Sequence, residues 1–191
     1  YEYINFTNDS VSIASFPDVY DRVATVNGVA KGFAMTGWRL GYMGGPTWLV
    51  KACNKIQGQI TSGTNTIAQK ATIEALKMGR SSTLFMQEAF LRRRNLMLDA
   101  FKNIPLAKIN VPKGAFYLFP DMSAYFGKKY ENHAINNAND LCLFLLHEAK
   151  VALVAGDSFG SPNCIRISYA SSDDRLIEAM QRIESALKLL H

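Results

Sequence analysis

The chain has 191 residues and a mass of 21.2 kDa, enough to bury a real core as one large domain or two small ones. Its 48% hydrophobic, 11% aromatic and 19% charged residues exclude disorder as the main state. Twenty-one Lys and Arg against sixteen Asp and Glu leave a net charge of +5, a modest surplus compatible with a phosphate, a carboxylate or a nucleic acid as partner.

The first ten residues carry Glu2, Asn5 and Asp9 with neither a basic nor an apolar region, so no secretory signal is visible. The chain opens on Tyr1 without an initiator Met, which predicts that it begins inside a longer protein. Residues 22–27 read as a strand ending in the turn pair Asn27-Gly28, and 40–45 as a second strand closed by Gly44, Gly45 and Pro46. Pro46 is placed as the first residue of a helix through Ile56, and a further helix is expected over 66–77, ending at Gly79.

Ser81 and Ser82 offer an N-cap for a long helix that puts Met86, Phe90, Met97 and Phe101 on one face and links two lobes, with a boundary near 78–82. Residues 107–111 and 114–120 read as adjacent strands, and the Asn-rich stretch 125–139 as a surface loop or mobile lid. A helix capped by Asn139 or Asp140 is expected through Lys150. The apolar stretch 141–155 is broken by His147, Glu148 and Lys150, far short of the roughly 18 residues of a membrane span. Strands follow at 151–154 and 164–169. A last helix from Ser171 or Ser172 places Leu176, Ile177, Met180, Ile183, Leu187 and Leu190 on an apolar face, with Glu178/Arg182 and Glu184/Lys188 as outer i,i+4 pairs. Alternating strands and helices define an α/β or α+β architecture.

Cys53, Cys142 and Cys164 form no C-x-x-C pair and have no His at metal-ligand spacing, which predicts neither a disulfide framework nor a metal site and fits a reducing, cytoplasmic setting. The most informative segment is Asn27 to Tyr42, which sets Lys31 and Arg39 eight positions apart in a Gly-rich stretch with no acidic residue. Basic side chains among Phe33, Ala34, Met35 and Trp38 call for an anionic partner. A desolvated or cation-flanked lysine amine can form Schiff bases with carbonyl groups, and arginine offers a planar fork suited to phosphate. Gly37 and Gly41 would let backbone approach a ligand closely.

The string N-G-x-x-K-x-F-A-M-T-G-W-R-x-G-Y closely resembles the lysine motif of class I aminotransferases, pyridoxal-phosphate enzymes of the aspartate aminotransferase fold. Pro112-Lys113-Gly114-Ala115-Phe116-Tyr117 and Arg166-Ile167-Ser168-Tyr169-Ala170 resemble further landmarks of that family in the same order, so the likeness spans essentially the whole chain. It implies fold type I, with residues 1–79 as the C-terminal part of the large, cofactor-binding domain and 80–191 as an α+β small domain. It further implies Lys31 as Schiff-base lysine and catalytic base, Arg39 on the cofactor phosphate, Arg166 on the substrate α-carboxylate and Tyr1 on the cofactor 3′-oxygen.

In the family, the pyridine-nitrogen Asp, an Asn on the 3′-oxygen, the ring-stacking aromatic and a phosphate-binding turn precede this stretch, so the chain corresponds to the C-terminal half. Ala30 stands where many relatives have Ser, and Val154-Ala155-Gly156 replaces a frequent V-P-G. Pyridoxal 5′-phosphate, amino-acid and 2-oxo-acid substrates, aspartate and 2-oxoglutarate foremost, and a homodimer follow from the resemblance, with Thr61 to Thr66 in reach of a neighbour's site. An aromatic or alanine-type specificity and a non-catalytic fragment are the alternatives; a nucleic-acid module has only the charge behind it.

Other features read as structural. Strand alternation alone turns Arg166, between Ile165 and Ile167, to solvent, a reading that the motif reverses. Arg92, Arg93 and Arg94 point about 100° apart on a helix and form no single basic face. Phe116 and Tyr117 read as core or pocket wall. His133, His147 and His191 have no triad or metal pattern around them. Residues 156–160 lack partners for a nucleophile elbow and read as a loop near the substrate.

Overall fold

The computed structural model describes residues 1–7 and 9–191 and divides them into two compact units, 1–87 and 88–191. In the first unit, β1 (Thr25–Gly28) pairs antiparallel with β2 (Gly41–Gly44). Next come α1 (Thr47–Ile60), α2 (Thr66–Met78), a 3-10 turn (Arg80–Thr83) and the start of α3 (Leu84–Phe101), inside which the unit boundary falls. Pro46 is the cap rather than the first helical residue: its ψ of 135° is extended, and its carbonyl accepts from the Leu49 and Val50 amides. Asn65 caps α2 by accepting from the Ala68 amide at 3.1 Å. Ser81 and Ser82 do not cap α3; their hydroxyls donate back to the Met78 and Gly79 carbonyls at the end of α2, so the long helix starts at Leu84.

The core of this first unit is small, with Ile4, Val29, Ala68 and Ala75 buried. Trp48, Ile56 and Ile60 on α1 are exposed.

In the second unit, β3 (Tyr117–Leu118), a hairpin of β4 (Lys129–Tyr130) and β5 (His133–Ala134), α4 (Ala138–Glu148), β6 (Val154–Ala155), β7 (Ile165–Ser168) and α5 (Asp173–Leu187) follow in order. The main sheet runs β3-β7-β6, antiparallel throughout. Leu118, Ile165 and Ile167 face a core completed by Met97 and Phe101 of α3, Leu141 and Leu145 of α4, and Met180 and Ile183 of α5. Of the apolar face expected on α5, Ile177 lies outside, 42% exposed.

Residues 107–111 form only a bridge, with Lys108 and Asp121 exchanging both backbone hydrogen bonds at 3.0 and 2.8 Å. The stretch 125–139 is no free lid. Tyr125 and Ile135 are buried, the Gly127 amide donates to the Ile135 carbonyl and the Ile135 amide to the Lys128 carbonyl, which ties the β4–β5 hairpin down at its base. Asn137, two or three residues earlier than expected, caps α4 by accepting from the Asp140 amide.

The arginine run is structural. Arg92 and Arg93 both donate to the Asp173 carboxylate, at 2.9 and 3.1 Å, joining α3 to the start of α5, and Arg94 donates to the Pro112 carbonyl. The expected outer pairs of α5, Glu178 with Arg182 and Glu184 with Lys188, are formed. All three cysteines are free thiols, and burial pushes the Cys142 thiol up to about 11. Among the described residues no helix is long and apolar enough to cross a membrane, and no group of three His, Cys, Asp or Glu side chains could hold a metal ion.

Candidate active site

Lys31 and Arg39 lie on one loop, residues 29–40, that joins β1 to β2. Its ends are drawn together by the strand pairing, in which Gly28 sits opposite Gly41. Both positions are tight for a side chain: a Cβ on Gly28 would stand 3.0 Å from the Leu40 carbonyl oxygen, and one on Gly41 3.2 Å from that of Asn27. At Gly37 a Cβ would meet no protein atom within 4 Å.

The Lys31 turn is built by hydrogen bonds from the Phe33 amide to the Val29 carbonyl and from the Ala34 amide to the Lys31 carbonyl. Lys31 itself is half-buried. Arg39 is exposed, with its backbone in the left-handed region at φ 52° and ψ 48°, a conformation that costs a non-glycine residue about 1 kcal/mol and that clusters at functional sites. Its guanidinium donates to the Thr36 carbonyl at 2.9 Å, which fixes the arginine against its own loop.

Tyr1 begins a turn closed by the Ile4 amide donating to the Tyr1 carbonyl, and it is exposed. That turn packs on the lysine turn through Tyr3, whose ring lies 4.9 Å from that of Phe33, and the same ring occupies the space that a Cβ on Gly32 would need. Asn27 donates to the Glu2 carboxylate at 2.7 Å and accepts from the Gly28 amide. Burial disfavours the Glu2 charge, but the bond from Asn27 and its other hydrogen bonds outweigh burial and hold the carboxyl below its ordinary value. Burial first, then Glu2 and Tyr3, push the Tyr42 phenol up. The segment bearing Tyr1 and the loop bearing Lys31 and Arg39 are thus one local assembly.

Arg166 belongs to the second unit. It sits on the middle strand of the sheet, on the face opposite the buried Ile165 and Ile167, as alternation requires, yet it is half-buried. Its guanidinium carbon lies over two rings, 4.8 Å from the centre of Tyr117 and 4.6 Å from that of Phe159. Tyr117 reaches it because its register partner is Ser168, two residues along the same face. Phe159 reaches it from the 3-10 turn 156–159, held by Gly156, where a Cβ would stand 2.1 Å from the Ser161 carbonyl oxygen.

The sequence predicts a loop near the substrate at 156–160 and core or pocket wall at Tyr117, but not that Phe159 and Tyr117 both lie against this arginine. Cross-strand diagonals between the G-A-F-Y and I-R-I-S segments carried the signal for Tyr117. No pattern in the sequence marks Phe159.

The described residues thus set a lysine amine and an arginine guanidinium on one loop of the first unit, and a strand arginine over two aromatic rings in the second. Residues 2–183 match the family model for aminotransferase class I and II, and the chain belongs to that family. It is 48% identical to the bifunctional aspartate aminotransferase and glutamate/aspartate-prephenate aminotransferase of Petunia hybrida, over 98% of this chain and 40% of that protein. It is also 48% identical to an aspartate aminotransferase of Pinus pinaster, over 94% of this chain and 37% of that one. Among solved structures, the aspartate aminotransferase from Rhizobium meliloti superposes with a TM-score of 0.94 at 40% identity, covering all of this chain and 48% of that one. An aromatic aminotransferase from Pyrococcus horikoshii gives 0.87 at 34% identity, over 98% and 48%. The fold is therefore that of part of aspartate aminotransferase, and the chain spans less than half the length of each of these proteins.

Proposed function

We propose that the full-length protein is an aminotransferase that moves an amino group between an amino acid, aspartate foremost, and a 2-oxo acid, 2-oxoglutarate, with pyridoxal 5′-phosphate as cofactor. The observation that carries this reading is the loop 29–40, which holds one amine and one guanidinium, no acid, and ends pinned by the Gly28–Gly41 pairing. That donor set fits a group that presents a carbonyl and a phosphate. When bound, pyridoxal phosphate supplies an electron sink for negative charge at the carbon bearing the amino group.

Lys31 would hold the carbonyl carbon through Nζ and, once the substrate amine has displaced it, would shuttle the proton of the substrate α-carbon. Arg39 offers the phosphate a planar fork from a position already fixed on the Thr36 carbonyl. Tyr1 would offer its hydroxyl to the 3′-oxygen, and Arg166 would bind the α-carboxylate. In this reading residues 1–79 belong to the cofactor-binding large domain and 80–191 to the small domain.

Aspartate is favoured because the relatives at 48% identity carry that name, whereas the aromatic aminotransferase stands at 34%. The Petunia relative's name supports a second acceptor, prephenate. Comparing kcat/KM of the full-length protein for aspartate, phenylalanine and alanine, with 2-oxoglutarate and then prephenate as acceptor, decides both: aspartate leads in this reading, and a preference for phenylalanine or alanine contradicts it. The full-length protein is further read as a cytoplasmic homodimer. Support for the dimer comes from the exposed Trp48, Ile56 and Ile60 on α1, an apolar surface that a second subunit or further chain would cover.

A further inference from the structure

Two aromatic rings, rather than an acid, hold the guanidinium of Arg166. Other arginines of the same unit have acid partners: Asp173 takes donors of Arg92 and of Arg93, which also lies 5.9 Å over the Phe90 ring, and Glu178 takes one of Arg182. A carboxylate partner consumes N–H donors and neutralises the charge, so a substrate carboxylate would have to displace it. A ring attracts the cation through its quadrupole and offers no competing lone pair. Among the described residues no carboxylate or carbonyl takes the Arg166 donors, and the rings lie against its guanidinium.

The rings are themselves anchored. Tyr117 lies 4.5 Å from Phe116, which stacks on Phe90 at 5.2 Å, and both of the latter are buried in the core. Phe159 meets Phe119 edge-on at 6.0 Å and is carried by the tight turn at Gly156. A row of side chains thus runs from the core through Tyr117 to Arg166 and Phe159. Phe159 is 47% exposed.

We propose that Phe159 and Tyr117 are positioning residues for substrate binding: their rings hold the Arg166 guanidinium in place for the α-carboxylate without occupying its donors. The inference rests on the aminotransferase reading for the identity of the carboxylate. Phe159 is the position to test first, because its exposure lets a substitution leave the core intact.

The experiment uses the full-length protein and succinate, a dicarboxylate with no amino group to transfer, titrated by calorimetry into Phe159→Leu, Tyr117→Leu, the ring-keeping Phe159→Tyr and Tyr117→Phe, and Arg166→Gln. Each Leu variant is expected to weaken succinate about tenfold and to raise KM for the amino acid with little change in kcat, while the ring-keeping variants bind as the wild type does. Succinate affinity unchanged in Phe159→Leu, an equal loss in Phe159→Tyr, or binding that survives Arg166→Gln would each overturn the inference. A wild type that binds succinate through Arg166 but transfers no amino group would remove the aminotransferase reading and leave the positioning role standing.

Discussion

Gly28 and Gly41 face each other as the last register pair of the β1–β2 hairpin, and the loop that carries Lys31 and Arg39 leaves from one and returns at the other. The backbone there is close enough that a Cβ on Gly28 would crowd the Leu40 carbonyl at 3.0 Å. Gly28→Ala is expected to lower stability by about 1 kcal/mol and to reduce cofactor retention, because relief of the clash moves the loop ends. Gly44→Ala, where no atom lies within 4 Å, serves as the control and should stay within about 0.5 kcal/mol of the parent. Urea unfolding and bound-cofactor absorbance report the two effects.

Asp173 at the start of α5 makes a pH-dependent contribution. The hydrogen bonds from Arg92 and then Arg93 lower its carboxyl from an ordinary 3.8 to about 2. A carboxylate depressed by folding stabilises the native state above its ordinary value and loses that effect as pH falls toward the folded value. Comparing urea midpoints of the parent and Asp173→Asn from pH 7 downward should show the parent ahead at neutral pH and the gap closing between about pH 4 and pH 2. A gap that is constant across that range contradicts the account.

Burial on the helices of the second unit distinguishes residues that periodicity alone groups together. Leu145 on α4 is fully buried, and Leu145→Ala should cost about 3 kcal/mol through lost transfer energy and a cavity. Ile177, assigned to the same kind of apolar face from its spacing, is largely outside, and Ile177→Ala should change stability by no more than about 0.5 kcal/mol. Chemical denaturation of both variants checks the contrast.

That contrast shows which parts of the molecule are legible from the chain. Long periodic helices such as α2, α3 and α5, and the strand ends marked by Asn27-Gly28 and Gly44-Gly45, are encoded locally and can be read within a few residues. The Lys31 and Arg39 loop is legible for the same reason, since its two basic residues and the glycines that pin its ends lie within sixteen consecutive residues, 27–42, whereas its packing on Tyr3 is not local. The β4–β5 hairpin is not, because its anchors are the buried Tyr125 and Ile135 inside an otherwise polar stretch. The setting of Arg166 is also non-local. It needs Tyr117, 49 residues before it, brought close by strand pairing, and Phe159, brought close by the tight turn at Gly156.

The central claim, that Lys31 is the amine that holds the cofactor, is tested most directly by borohydride reduction. The full-length protein loaded with pyridoxal 5′-phosphate would be reduced, digested and mapped by mass spectrometry. The account predicts the phosphopyridoxyl mass on the peptide bearing Lys31, and no fixed label or turnover in Lys31→Ala. Label fixed on another lysine, with Lys31→Ala still active, would contradict it.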